Sequence, residues 1–222
     1  MALVSVSREE GSWGGDVARG LAERLGYRLL DRKALLADAE AYGGISPSAP
    51  ELDEKRPGFW ERLDQERRRY NLLLRTVVYT VALGDNVVFL GRGTGMLLSD
   101  IEHTLRVLVT CPVPLRVARI MERGAGGRPG PMTREQAEEI VRRADRDRAG
   151  YVRYLFQADW LDPLHHSIVL NTAVIEVPAA IDLLAEMIAS ETYDATPASR
   201  QRLEQLARAS QEEAARLIGS RR

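Results

Sequence analysis

A three-layer α/β fold with a mainly parallel five-stranded sheet is what this sequence predicts, and two observations carry the prediction. Short apolar runs alternate with helical patterns through residues 1–190. Alternation of that kind places consecutive strands in a parallel sheet with helices on both faces. The first apolar run also feeds a glycine-rich turn, Gly11-Ser12-Trp13-Gly14-Gly15, which opens an amphipathic helix. Strand, glycine turn and helix N-terminus together aim backbone N–H groups and the positive end of a helix dipole at one place, and that suits a phosphate.

Strands are predicted at residues 2–6, 27–30, 86–90, 104–109 and 167–170, most of them short apolar runs of the kind covered on both faces. After the glycine turn, Val17, Leu21 and Leu25 recur every four residues beside Ala18 and Ala22, and the pattern stops at Gly26, a natural C-cap. Residues 41–58, rich in Pro, Gly, Ser and acids and without periodicity, are expected to form a mobile loop over one side of the site. A longer helical pattern covers 59–83, charged in its first half and apolar from Leu72 to Leu83. Residues 124–131, Gly-Ala-Gly-Gly-Arg-Pro-Gly-Pro, cannot continue a helix and are expected at the tip of a hinged excursion between two arginine-rich helices. Both segments are candidate mobile lids. Residues 191–222 form a separate C-terminal helical tail. In it Leu203, Leu206, Ala207, Ala214, Leu217 and Ile218 make an incomplete apolar stripe, which can dock on the domain or on a second copy as a homodimer.

Composition narrows the function. The 222 residues are 45% hydrophobic and 28% charged, enough for one good core with an appendage. A net charge of -1 gives no basic footprint for nucleic acid. The single cysteine, Cys111, excludes an internal disulfide and argues against Cys-rich metal binding. No run approaches a membrane span, and the N-terminus shows no basic region leading into an apolar segment, so a cytoplasmic protein with no membrane partner is expected. His165 and His166 are adjacent, point apart and make a poor metal pair, best placed as a surface loop pair. Trp60 and Trp160 are expected in packing. Trp13, inside a glycine turn, is expected to cover a base or a partner surface.

Arginines carry the second functional signal. Arg116, Arg119 and Arg123 are spaced i, i+3, i+7 on one stripe of the helix after the fourth strand, and a further cluster runs from Arg142 to Arg148. Planar guanidinium groups bind phosphate oxygens bidentately, and phosphoryl transfer needs positive charge around the moving group. Their acidic neighbours offer the alternative of a solvated, self-paired helix face. Arg92, in the turn Gly91-Arg92-Gly93 at the end of the third strand, stands beside the crevice where ligands of such sheets bind.

The blocks Ser7-Arg8-Glu9-Glu10-Gly11-Ser12-Trp13-Gly14-Gly15-Asp16-Val17-Ala18 and Leu25-Gly26-Tyr27-Arg28-Leu29-Leu30-Asp31-Arg32 resemble the opening of the cytidylate kinase-like family. In the same order follow Val87 to Gly93, Pro114 to Met121, Asp145 to Tyr151, Asp159-Trp160 and Val169 to Thr172. The resemblance covers residues 2–188. It implies a P-loop nucleoside monophosphate kinase fold and phosphoryl transfer from ATP to CMP or dCMP with magnesium. By position, Gly11, Ser12, Gly14 and Gly15, with Arg8 before them, would cradle the donor phosphates. Arg116, Arg119 and Arg123 would be catalytic, closing on the transferred phosphate. Asp31, Arg92, Asp145 and Arg148 would face the acceptor. The chain departs from the pattern in lacking the usual loop lysine, in carrying Gly15 where an arginine tends to stand, and in Gly93 where true cytidylate kinases often have an acid. A non-catalytic nucleotide-binding or regulatory protein on the same fold is the alternative those departures raise.

Overall fold

The computed structural model of the protein describes residues 2–43, 64–123 and 132–219. The expected loop at 44–58, the first residues of the 59–83 pattern and the expected lid tip at 124–131 lie outside them; residues 41–43 close a helix. Five strands, β1 (Leu3–Arg8), β2 (Arg28–Leu30), β3 (Val87–Leu90), β4 (Thr104–Thr110) and β5 (Ile168–Asn171), pair in the order β2-β3-β1-β4-β5. Every pairing is parallel, with Leu3 opposite Val87 and Thr104, Leu30 opposite Phe89, and Thr110 opposite Asn171. All five lie within two residues of their sequence-derived bounds.

Strand residues alternate between two cores, as the period of two requires. On one face, Val4, Val6, Val88, Val107 and Val109 pack with Val17, Ala18 and Leu21 of α1 (Gly14–Leu25) and with Ala180 and Leu184 of α7 (Val177–Ile188). A Cβ on Gly20 would run into Ile181, so the two helices sit as close as they do because position 20 has no side chain. Gly26 ends α1 in the left-handed conformation at φ 66°, its N–H donating to Ala22 and Glu23 carbonyls. On the opposite face, Leu3, Val87 and Phe89 pack with Leu73, Val77 and Val78 of α3 (Asp64–Ala82), and Leu35 of α2 (Arg32–Gly43) joins them.

That second core includes the tail. Leu203, Ala207 and Ala214 of α8 (Pro197–Gly219) are buried against α3 of the same chain, which gives the incomplete apolar stripe its docking surface. A polar cluster at the lower edge of the sheet pins the start of α8. His103 is fully buried, its Nδ1 2.6 Å from Ser199 Oγ and its Nε2 3.3 Å from Asp85 Oδ1, and Arg200 reaches the same Asp85 at 2.6 Å.

Beyond the sheet's upper edge stand three more helices. The short α4 (Thr94–Leu97) follows β3, with Thr94 hydrogen-bonded to Ser5 at 2.8 Å. The helices α5 (Val113–Arg123) and α6 (Arg134–Phe156) pack through Val117, Ile120, Ala137 and Val141. Thr133 and Gln136 form a reciprocal capping box that fixes where α6 begins. Among the described residues no helix is long and apolar enough to cross a membrane.

Candidate functional site

The loop between β1 and α1 is held by its own backbone geometry. Gly11 lies at φ 78° and Trp13, the N-cap of α1, at 61°, both left-handed. Trp13 supplies no side-chain cap, and among the described residues the amides of Trp13 and Gly15 find no acceptor. Uncapped amides at a helix N-terminus are what an anion needs. A Cβ on Gly14 would strike Arg8 and Val109, whereas one on Gly15 meets nothing within 4 Å. Ser12 is turned inward and fully buried, its hydroxyl donating to the Glu9 carbonyl at 2.8 Å.

Two arginines of α5 brace this loop from beneath. Arg116, 2% exposed, donates to both Asp145 oxygens at 2.9 Å and sits 3.2 Å from Glu9. Burial opposes its charge, but the bonds to Asp145 and the field of Glu9 outweigh burial and hold its pKa above the ordinary value. Arg119 donates to the Thr172 hydroxyl at 2.9 Å and carbonyl at 2.7 Å, and Thr172 in turn donates to the Ser12 carbonyl at 2.8 Å. The Arg119 guanidinium also stacks 3.6 Å from the Trp13 ring, with Arg123 at 5.1 Å. Trp13 is half-buried, with its own chain's arginines stacked against its ring. Arg123 is exposed and 3.2 Å from Asp16.

A cleft opens beside the loop, between the ends of β1 and β3 and the inner side of α6. Arg8, Arg92 and Arg148 line it, together with Tyr151, Trp160 and His166. Arg92 is 7% exposed and sits at φ 64°, between Gly91 at 79° and Gly93 at 67°. Three left-handed residues in succession hold a buried cation at a strand end, the kind of local strain that accompanies a working site. Burial pushes the Arg92 pKa down to about 10, with Arg32 and Arg8 adding to the effect against Tyr151, so it stays charged near neutrality. Gly91's left-handed φ of 79° strains any other residue there, and a Cβ on it would also displace the Arg8 guanidinium. Arg148 pairs with Glu10 at 2.6 Å, while its Nε and Nη1 are buried without a hydrogen-bond partner among the described residues.

Of the residues proposed from sequence, Arg8, Arg92 and Arg148 meet in the cleft, and Gly11, Ser12, Gly14 and Gly15 form the loop beside it. Asp145 is engaged by Arg116 and does not line the cleft. Asp31 caps α2, accepting from the Ala34 amide at 2.9 Å at the far edge of the sheet. Tyr151, Trp160 and His166 were not singled out as site residues. Tyr151 follows Arg148 by three residues and so shares its helix face, a legible signal. Trp160 and His166 come from the connection into β5, where spacing says nothing, and His166 proves half-buried in the cleft in place of a surface loop pair.

Comparison with known proteins agrees with this geometry. No curated protein matches the chain. Among solved structures, an uncharacterized protein from Eubacterium ventriosum ATCC 27560 aligns at TM-score 0.66 and 20% identity, over 86% of this chain and 100% of that one. Shikimate kinase from Bacteroides thetaiotaomicron aligns at TM-score 0.50 and 15% identity, over 85% and 99%. These likenesses establish a three-layer P-loop kinase type of fold. The model of the cytidylate kinase-like family matches residues 3–174, and the chain belongs to that family.

Proposed function

We propose that the protein is a phosphotransferase that moves a phosphoryl group from ATP to a nucleoside monophosphate, CMP or dCMP. The observation that carries this reading is the convergence of Arg8, Arg92 and Arg148 on one cleft directly beside a loop with uncapped amides. The loop amides of Trp13 and Gly15 suit the donor's phosphates, and the cleft guanidinium groups suit the acceptor's. Asp16, on the first turn of α1, is the carboxylate that would hold a magnesium ion arriving with the donor, and such an ion would supply charge neutralisation to the donor phosphates. Arg123, exposed on the last turn of α5, is the cation assigned to the transferring group. Arg116 and Arg119 are positioning residues that keep the loop's shape through Asp145 and Thr172.

A second reading, a nucleotide-binding regulatory protein without turnover, is favoured by one observation. The cations next to the lysine-free loop already have partners, Arg119 in Thr172 and Trp13 and Arg123 in Asp16. A coupled assay of ADP release across the nucleoside monophosphates, with magnesium and ATP, separates the two. Release above the ATP-only rate with CMP or dCMP supports the enzyme. ATP binding with no release for any monophosphate supports the regulator.

A further inference from the structure

The arginine cleft carries a group that phosphate binding does not use. His166 lines the same cleft as Arg92 and Arg148. Its Nε2 lies 2.9 Å from the Trp160 carbonyl oxygen. A carbonyl can only accept, so Nε2 carries the proton and donates. Burial pushes the His166 pKa below its ordinary value, against the bond to Trp160, and His165 and Arg106 push the same way as burial. The ring is neutral near pH 7, and neutrality with the proton on Nε2 leaves Nδ1 with a bare lone pair. That Nδ1 is buried and has no hydrogen-bond partner among the described residues. Native folds seldom leave such an atom unsatisfied without a reason. The cleft's guanidinium groups only donate, so an unpartnered acceptor on a side chain of the same cleft wall asks for a ligand that is anionic at one end and carries a hydrogen-bond donor at the other.

Building on the acceptor site proposed above, we infer that His166 selects the base of the acceptor, its Nδ1 accepting from an exocyclic amino group and thereby favouring an amino-bearing base over an oxo-bearing one. An oxo group at that place sets lone pair against lone pair. The cleft then divides its work: Arg8, Arg92 and Arg148 hold the phosphate whatever the base, and His166 supplies the discrimination.

Calorimetric titration of the full chain with CMP, dCMP and UMP tests the assignment. The wild-type protein is expected to bind CMP about tenfold more tightly than UMP, the size of one neutral hydrogen bond gained against one left unmade. His166→Gln keeps an amide N–H for the Trp160 carbonyl but offers no acceptor where Nδ1 stands. It should bring the two affinities within about twofold by weakening CMP while UMP holds. His166→Asn, whose amide oxygen stands near Nδ1, should recover part of the preference and serves as the arm if the Gln variant does not fold. An unchanged CMP-to-UMP ratio in both variants overturns the inference and leaves the phosphotransferase reading intact. A change in the CMP-to-dCMP ratio instead overturns it by assigning Nδ1 to a sugar hydroxyl. A wild-type protein that binds none of the three removes the acceptor site itself, and the inference falls with it.

Discussion

Beneath the loop and beside it stand two groups of arginines that differ in what their donors face. Arg116 and Arg119 point into the fold, where Asp145 and Thr172 accept their hydrogen bonds and Glu9 pairs with Arg116, leaving only the Nε of each without a hydrogen-bond partner among the described residues. Arg148 points into a cleft with Glu10 as its carboxylate partner and two nitrogens left over. Residue type is the same in both places. Acceptor placement makes the difference: Arg116 meets two acids at bonding distance and Arg119 the hydroxyl and carbonyl of Thr172, so both become part of the scaffold, whereas the cleft gathers three cations. A guanidinium cluster read from sequence therefore says that charge is present, and the acids around it say whether that charge is available to a ligand.

Breaking the scaffold side should have the largest effect. Arg116→Met leaves Glu9 buried without its cation and Asp145 without its bidentate partner. Removing one member of such a pair costs about 3 kcal/mol or more. Chemical denaturation should register that loss, and the loop's nucleotide affinity should fall with it. A midpoint within error of wild type would mean that Arg116 is no brace.

On the cleft side the expectation is reversed, with binding lost and stability kept. Arg148→Ala removes charge-assisted bonds worth about 1.5–3 kcal/mol to a bound phosphate, a loss of roughly tenfold to a hundredfold in monophosphate affinity. The melting temperature should scarcely move, because the Glu10 left behind is part-exposed. Arg92→Gly should behave likewise, since glycine accepts φ 64° without strain. Calorimetry paired with thermal melts checks both variants, and equal affinity in wild type and variant would take that arginine out of the site.

A third contrast, between the two ends of the sheet, concerns pH. At the lower edge His103 is fully buried, and burial, with Arg200 adding to it, holds its pKa below the ordinary value against the pull of Asp85. His166 at the cleft is depressed as well, again chiefly by burial. A histidine whose folded pKa lies below its unfolded value binds protons more readily when unfolded. Stability from both is thus complete above about pH 6.5 and falls as pH drops toward the folded values. The slope is up to about 1.4 kcal/mol per pH unit for each proton. His103→Asn should flatten part of this dependence between pH 7 and 5. Since Ser199 and Arg200 belong to α8, the variant should also expose that helix to limited proteolysis. An unaltered pH profile would show that His103 does not titrate in this window.

The sheet was legible because its strands are short, largely apolar runs set between helical patterns, which is why five runs could be placed within two residues. The loop was legible for the same local reason. Which arginine serves scaffold and which serves cleft was not, because it depends on acids distant in sequence: Glu9 meets Arg116 and Glu10 meets Arg148 only after β1, α5 and α6 have packed. Spacing put Arg116, Arg119 and Arg123 on one stripe, and the fold then buried the first two and left the third exposed. His166 was illegible for a further reason. Its meaning lies in which ring nitrogen is bonded, and no sequence pattern carries that.

The smallest effect on the fold, and the sharpest on the reading, belongs to Gly15→Arg. A side chain at position 15 enters open space on the first turn of α1, so no packing term opposes it. Arginine gains up to about 1 kcal/mol over glycine in helix propensity and gives back a few tenths or more by setting a cation at the positive end of the helix dipole. Stability should therefore change by less than about 1 kcal/mol, and the melting temperature is the control. The new guanidinium would stand at the mouth of the loop, where neither Arg116 nor Arg119 can reach while Asp145 and Thr172 hold them. If charge on the transferring phosphate limits the rate, ADP release with CMP should rise severalfold, and Arg123→Ala should lower it in the wild-type background. If Gly15→Arg binds ATP more tightly yet releases no more ADP, charge at the loop mouth is not what limits turnover. A wild-type protein that also releases none then leaves the chain as a nucleotide binder whose arginines were recruited into the scaffold.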